Sequence, residues 1–136
     1  FMTDGAGAPN LTLRPDAGGG EPALFMDGGR VLRFSTNDVP KAVRTLLERS
    51  GHGMDDIDMF VFHQASKVVL DKLQHVLAIP DAKMLRNYRT VGNTVSATIP
   101  LAIKMALDSG DMRPGMRLML IGFGVGYSLA GCIVEP

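Results

Sequence analysis

Apolar residues recur along this chain with two periods, and each period predicts a kind of element. Val39, Val43, Leu46 and Leu47 stand three and four apart, the spacing that gathers side chains on one helical face. Ser35, Thr36, Asn37 and Asp38 offer capping oxygens ahead of them, Pro40 suits a first helical turn, and Gly51 supplies a left-handed stop. A helix over about 35–50 is predicted, with a short strand at 31–34 before it. Residues 57–62 form an apolar run without clean alternation, as in a strand covered on both faces, and His63 stands at its carboxyl end. Val69, Leu73, Val76 and Leu77 predict a second amphipathic helix over 66–77, closed by Pro80.

A third helix is expected over about 95–109, and it has a different character. Ala97, Ile99, Leu101, Ala102, Ile103, Met105, Ala106 and Leu107 leave Lys104 as its one charge before Asp108, so it is apolar nearly all round. We expect Ile99, Ile103 and Leu107 to face this chain's own sheet and Leu101, Ala102 and Met105 to turn toward something else. Two strands, 116–121 and 127–134, should return as a hairpin across Gly122-Phe123-Gly124-Val125-Gly126. Residues 1–30 are rich in Gly, Pro and Asp and read as a leading loop with a possible hairpin, in which 11–13 is the only strand-like piece. The order strand, helix, strand, helix, helix, strand, strand predicts a three-layer α/β domain with a mixed sheet at 31–136.

Composition narrows the function. The 136 residues are 46% apolar, enough for one domain with a real core, and 14 Lys and Arg balance 14 Asp and Glu. No net field draws the chain to nucleic acid or to an anionic membrane. One Cys permits no internal disulfide, and the thiol count and scattered histidines leave no zinc motif, which fits a cytoplasmic setting and no metal. No apolar run approaches the ~20 residues of a membrane span. The first residue is Phe1 instead of Met, so a piece of a longer protein is expected.

Three segments carry candidate chemistry: His63-Gln64-Ala65-Ser66, Gly92-Asn93-Thr94-Val95-Ser96-Ala97-Thr98-Ile99-Pro100, and Gly122 to Gly126. In an open α/β sheet ligands gather beyond the carboxyl ends of the strands, where His63 and the glycine loop fall. Asn93 precedes a predicted helix N-terminus, whose free N–H groups favour developing negative charge. Taken singly each has a plain structural reading: a hydrogen-bonded histidine, a helix cap, a hairpin turn. Gly122-Phe123-Gly124 precedes a strand, not a helix, and so is no dinucleotide fingerprint. Cys132, within the last strand, is expected to be a small buried packing residue. His52 and His75 are expected at the surface, and Lys67 and Lys72 read as solvated lysines.

In combination, His-Gln-Ala, then Gly-Asn-Thr-x-Ser-Ala-x-Ile-Pro some thirty residues later, then Gly-Phe-Gly-x-Gly, resembles the carboxy-terminal half of β-ketoacyl-acyl-carrier-protein synthase III. The resemblance covers essentially the whole chain and makes 1–136 the C-terminal domain of such an enzyme. It implies a thiolase-like half-domain, one half of a five-layer αβαβα fold, with the nucleophilic Cys on an N-terminal half. The implied reaction is a decarboxylating Claisen condensation of an acyl thioester with malonyl-acyl-carrier protein, in fatty acid or polyketide biosynthesis. No cofactor is implied, since coenzyme A or phosphopantetheine thioesters enter as substrates. The implied partners are the Cys-bearing half, acyl carrier protein and acyl-coenzyme A, in a full-length homodimer.

On that resemblance His63 and Asn93 are catalytic, donating to an enolate oxygen. Ser66, Phe123, Gly124 and Val125 are substrate-binding, with the Val125 amide offered to the acyl thioester oxygen. Two positions depart from the family pattern: Val125 stands where many relatives have Gly, and Ser66 where Asn is usual. Alone, the chain is expected to be inactive for want of the Cys. Two alternatives stay open, a non-catalytic partner half and an acyltransferase to an oxygen or nitrogen acceptor.

Overall fold

Four residues with no exposed side chain among them, Met59–Phe62, form the strand around which the rest is arranged. In sequence order the elements are β1 (Met2–Thr3), β2 (Leu11–Arg14), β3 (Ala23–Met26), α1 (Gly28–Ser50) and β4 (Met59–Phe62). They are followed by α2 (Lys67–Leu77), α3 (Tyr88–Val91), α4 (Thr98–Ser109), β5 (Leu118–Gly124) and β6 (Ser128–Val134). The computed structural model describes residues 1–16 and 18–135.

The main sheet has the order β1-β6-β5-β4, with β4 and β5 parallel and the other pairs antiparallel. A mixed sheet was expected from the element order, and its alternation sets the layers. Phe60 and Phe62 of β4 and Met119, Ile121 and Phe123 of β5 join Val39, Val43 and Leu47 of α1 and Leu70 and Leu73 of α2 in one core. Met59, Val61 and Leu118 point the other way, onto Ala102 and Ala106 of α4. Burial on both faces explains the unbroken apolar run in β4.

Three expectations about the elements need correction. Residues 31–34 are not a strand, because α1 starts at Gly28, where the Asp27 side chain accepts the Arg30 N–H at 3.0 Å. Ser35 and Thr36, read as caps, instead donate back to the carbonyls of Val31 and Leu32 at 2.9 Å, as helix-interior residues do. The buried positions Ser35, Val39, Val43 and Leu47 recur every four residues, and continuing that face holds Pro40 in the helix interior. Gly51 does close α1 in the left-handed conformation, at φ 72°. The leading 30 residues do hold the hairpin thought possible there, β2 paired with β3, but they also carry a strand that was not expected, Met2–Thr3, which pairs with β6. Gly7 fits beneath the Tyr127 ring, which a Cβ there would meet at 2.2 Å.

The third correction concerns the last helix. A 3-10 turn, Val95–Ala97, precedes α4, which begins only at Thr98. Its sheet-facing row is Ala102 and Ala106, with Ile99 and Ile103 at the flanks, whereas Leu101 and Leu107 turn outward, the latter 48% exposed. The small alanines let the helix lie close to β4 and β5, so Ala102 faces the sheet and Leu107 does not. Among the described residues nothing covers the same side of β6 beyond α4, which leaves Cys132 exposed instead of buried.

Candidate active site

His63 follows the last residue of β4, and its backbone N–H continues the ladder by donating to the Ile121 carbonyl at 2.8 Å. Its side chain is half-buried. Nδ1 lies 2.7 Å from the Thr98 hydroxyl oxygen, and the Phe123 ring stands edge-on to the imidazole, centroids 5.4 Å apart. Burial, which favours the neutral ring, pushes the His63 pKa below its ordinary value, against a smaller upward pull from the Val95 carbonyl.

Gln64 is fully buried, a costly place for an amide unless every polar atom is matched. Its Nε2 donates to the carbonyls of Phe62 at 2.8 Å and Leu85 at 3.3 Å, while Oε1 accepts the Asn87 N–H at 3.0 Å. Leu85 also donates to the Phe60 carbonyl, and Met84 bridges Phe60 in parallel. The link 84–87 is thereby stitched along the free edge of β4. Chain continuing from that link delivers Asn93.

Asn93 does not stand at the start of α4, as expected, since the 3-10 turn intervenes. Its amide is nevertheless fixed at both ends: Oδ1 accepts the Val95 N–H at 2.9 Å, and Nδ2 donates to the Ala65 carbonyl at 3.3 Å. Ala65 is two residues from His63, so this bond brings the two predicted catalytic residues to one edge of the sheet. An amide NH2 has two hydrogens, and one remains for a ligand. Val95 sits at φ 54°, rare for a β-branched residue and the kind of local strain that persists where surrounding structure holds it.

The glycine segment is less of a loop than predicted. Gly122, Phe123 and Gly124 complete β5, Gly124 pairs with Ser128, and the turn is Val125 to Tyr127. Val125 is exposed at that turn, on the same sheet end as Phe123 and His63. Ser66, the remaining predicted site residue, is the N-cap of α2, its hydroxyl accepting the Val69 N–H at 3.3 Å. Lys67 pairs with Asp71, and together with Arg86 holds that carboxyl below its ordinary range. His75 is exposed and His52 half-buried beside the C-terminal stop of α1.

Two surface concavities, of about 540 and 290 Å3, lie away from this cluster, the larger lined by Arg30, Arg33, Phe34, Lys41 and Tyr127 among others. His63 and Asn93 stand on an open edge. Among the described residues no group of three or more His, Cys, Asp and Glu is placed to hold a metal, and no helix is long and apolar enough to cross a membrane. Thr98 and Gln64 gained no role from sequence reasoning, though both lie inside the motifs. Their one signal was that each is a polar residue in an otherwise small or apolar setting.

Residues 47–135 match the model of the family described as 3-oxoacyl-[acyl-carrier-protein (ACP)] synthase III C terminal. The chain belongs to this family. A synthase III of that kind from Prochlorococcus marinus is 35% identical over 117 residues, spanning 86% of this chain and 34% of that protein. An acetoacetyl CoA synthase from a Streptomyces species is 39% identical over 110 residues, covering 81% and 33%. A crystal structure of a 3-oxoacyl-(acyl-carrier-protein) synthase III superposes with a TM-score of 0.90 at 41% identity, over 99% of this chain and 46% of that one. The chain thus spans about a third of the length of the curated synthase III relatives it matches, and the mixed sheet with helices on both faces is the fold they share.

Proposed function

We propose that this synthase III C-terminal domain supplies the enolate-stabilising donors of a decarboxylating condensing enzyme, whose nucleophilic Cys lies on an N-terminal half. The observation that carries the reading is the convergence of a neutral, half-buried His63 and a doubly anchored Asn93 beside one strand end. Loss of carbon dioxide from a malonyl thioester leaves two electrons on the enolate, whose charge rests on the thioester oxygen. A neutral N–H of His63 and the spare Nδ2 hydrogen of Asn93 stabilise that oxygen without a proton being transferred to it. Because both groups are held before substrate arrives, little reorganisation is needed as the charge develops. The enolate carbon then attacks the acyl thioester on the Cys, and the Cys thiolate leaves.

Val125, at the β5–β6 turn, fits the second oxygen of the reaction through its backbone N–H, and Phe123 walls the histidine. Ser66, at the exposed start of α2, suits the pantetheine arm shared by coenzyme A and acyl carrier protein. The open edge around His63 and the uncovered side of β6 are consistent with walls provided by the other half, and with a full-length homodimer. On this reading the chain alone is inactive, because the acyl-accepting Cys lies on the other half and, among the described residues, no base is hydrogen-bonded to Cys132 in β6.

The test separates the two half-reactions in the enzyme that carries this domain together with its Cys. His63→Ala and Asn93→Ala should each leave acylation of the Cys intact and lower carbon dioxide release by about 10²–10³-fold, the usual loss for one oxyanion donor. Unchanged carbon dioxide release in both variants sinks the reading, and transfer to an oxygen or nitrogen acceptor without decarboxylation would take its place.

A further inference from the structure

The Thr98 hydroxyl has one hydrogen and two acceptors within reach. Its Oγ1 lies 2.7 Å from His63 Nδ1 and 3.0 Å from the Val95 carbonyl oxygen. That carbonyl already accepts the backbone N–H of Thr98, so it stays partnered wherever the hydroxyl points. A neutral imidazole must present one bare nitrogen and one N–H, and what sits against Nδ1 decides which is which. Thr98 is itself buried, 1% exposed, so water does not compete for the contact, and the competitor is the Val95 carbonyl, which also faces the imidazole. We propose that Thr98 is a positioning residue, which donates its hydroxyl hydrogen to His63 Nδ1 and so keeps the ring's proton on Nε2.

This rests on the reading of His63 as an enolate donor and specifies how the donor is made. With the hydroxyl turned instead to Val95, Nδ1 would carry the proton and Nε2 a lone pair, which repels an enolate oxygen. The turn at residues 93–98 then serves both donors at once. The Asn93 carboxamide grips it at the Val95 N–H, and the positive φ of Val95 sets the carbonyl that receives Thr98. A single rigid turn thereby orients the Asn93 amide and, through one hydroxyl, the imidazole tautomer.

The tautomer can be read without substrate or turnover, by long-range proton–nitrogen correlation on the 15N-labelled chain above pH 7. His52→Gln and His75→Gln assign the three rings. Nε2 of His63 should appear protonated and Nδ1 bare. Thr98→Val and Thr98→Ala should each reduce that preference about 2- to 10-fold, the worth of one hydrogen bond, and Thr98→Ser should restore it. A parent chain with the proton on Nδ1 overturns the proposal, and so does a folded Thr98→Val or Thr98→Ala chain with an unchanged His63 signal. A parent enzyme, carrying its Cys, that shows the Nε2–H signal yet releases no carbon dioxide would count against the reaction and not against this hydrogen bond.

Discussion

Replacing Gln64 by Met keeps the length and nearly the volume of the side chain while deleting its three hydrogen bonds, which makes it a clean probe of what holds the site edge together. The Asn87 N–H loses the Gln64 Oε1 partner 3.0 Å away and is left buried, at about 1–3 kcal/mol. The Phe62 and Leu85 carbonyls each lose one bond, at about 0.5–1.5 kcal/mol apiece. The sum is about 2–6 kcal/mol, reduced somewhat because a methionine gains apolar burial that the amide does not have. Denaturant unfolding at fixed m should register a fall of that size, and the melting temperature should drop by about 3–6 °C per kcal/mol. Gln64→Glu should be worse at neutral pH, since a carboxylate would face two carbonyl oxygens, and should recover partly in acid, where a protonated carboxyl can donate once. A Gln64→Met chain within about 0.5 kcal/mol of the parent would refute the account, because surface-like tolerance cannot coexist with three bonds made by a fully buried amide.

Other outcomes follow from the same structure. His63 has its folded pKa below the unfolded one, so the unfolded chain binds more protons in the window beneath its ordinary value; stability should fall as pH drops through that window, and His63→Gln should flatten the slope. Thermal melts at closely spaced pH values check it, an unaltered slope being the contrary result. Cys132 should react with a thiol reagent in the folded chain, one equivalent without denaturant, yet take no stable acyl group from acyl-coenzyme A at the rate of an intact relative. Mass spectrometry reads both. Leu101 and Leu107 on α4 should bind a hydrophobic dye in the isolated chain, and Leu107→Lys should weaken that signal while shifting the melting temperature by under about 2 °C, as expected for an exposed residue near a helix C-terminus.

Sequence alone determined much of this protein, because local chemistry dictates it. Period and punctuation placed β4, α2, the Gly51 stop and the β5–β6 hairpin, since a strand buried on both faces and a helix buried on one leave unlike apolar patterns. The three motifs, taken together, pointed to the synthase III family, though the roles of His63, Asn93, Ser66 and Val125 remain part of the proposed function. Sequence misread residues 31–34, where Val31, Leu32 and Phe34 suit a strand as well as the first turns of α1, and only packing of that face against Tyr127 and the sheet decided for helix. It misjudged Ala102, Leu107 and Cys132 for a related reason: which side of an apolar helix or strand is covered depends on what lies across from it. The pairing of Met2–Thr3 with β6, the Asn93 bond to Ala65, the Gln64 staple and the Thr98 contact with His63 join residues up to about 130 positions apart. Such contacts have no local signal, and they came from tertiary structure because only the folded chain brings both partners to one place.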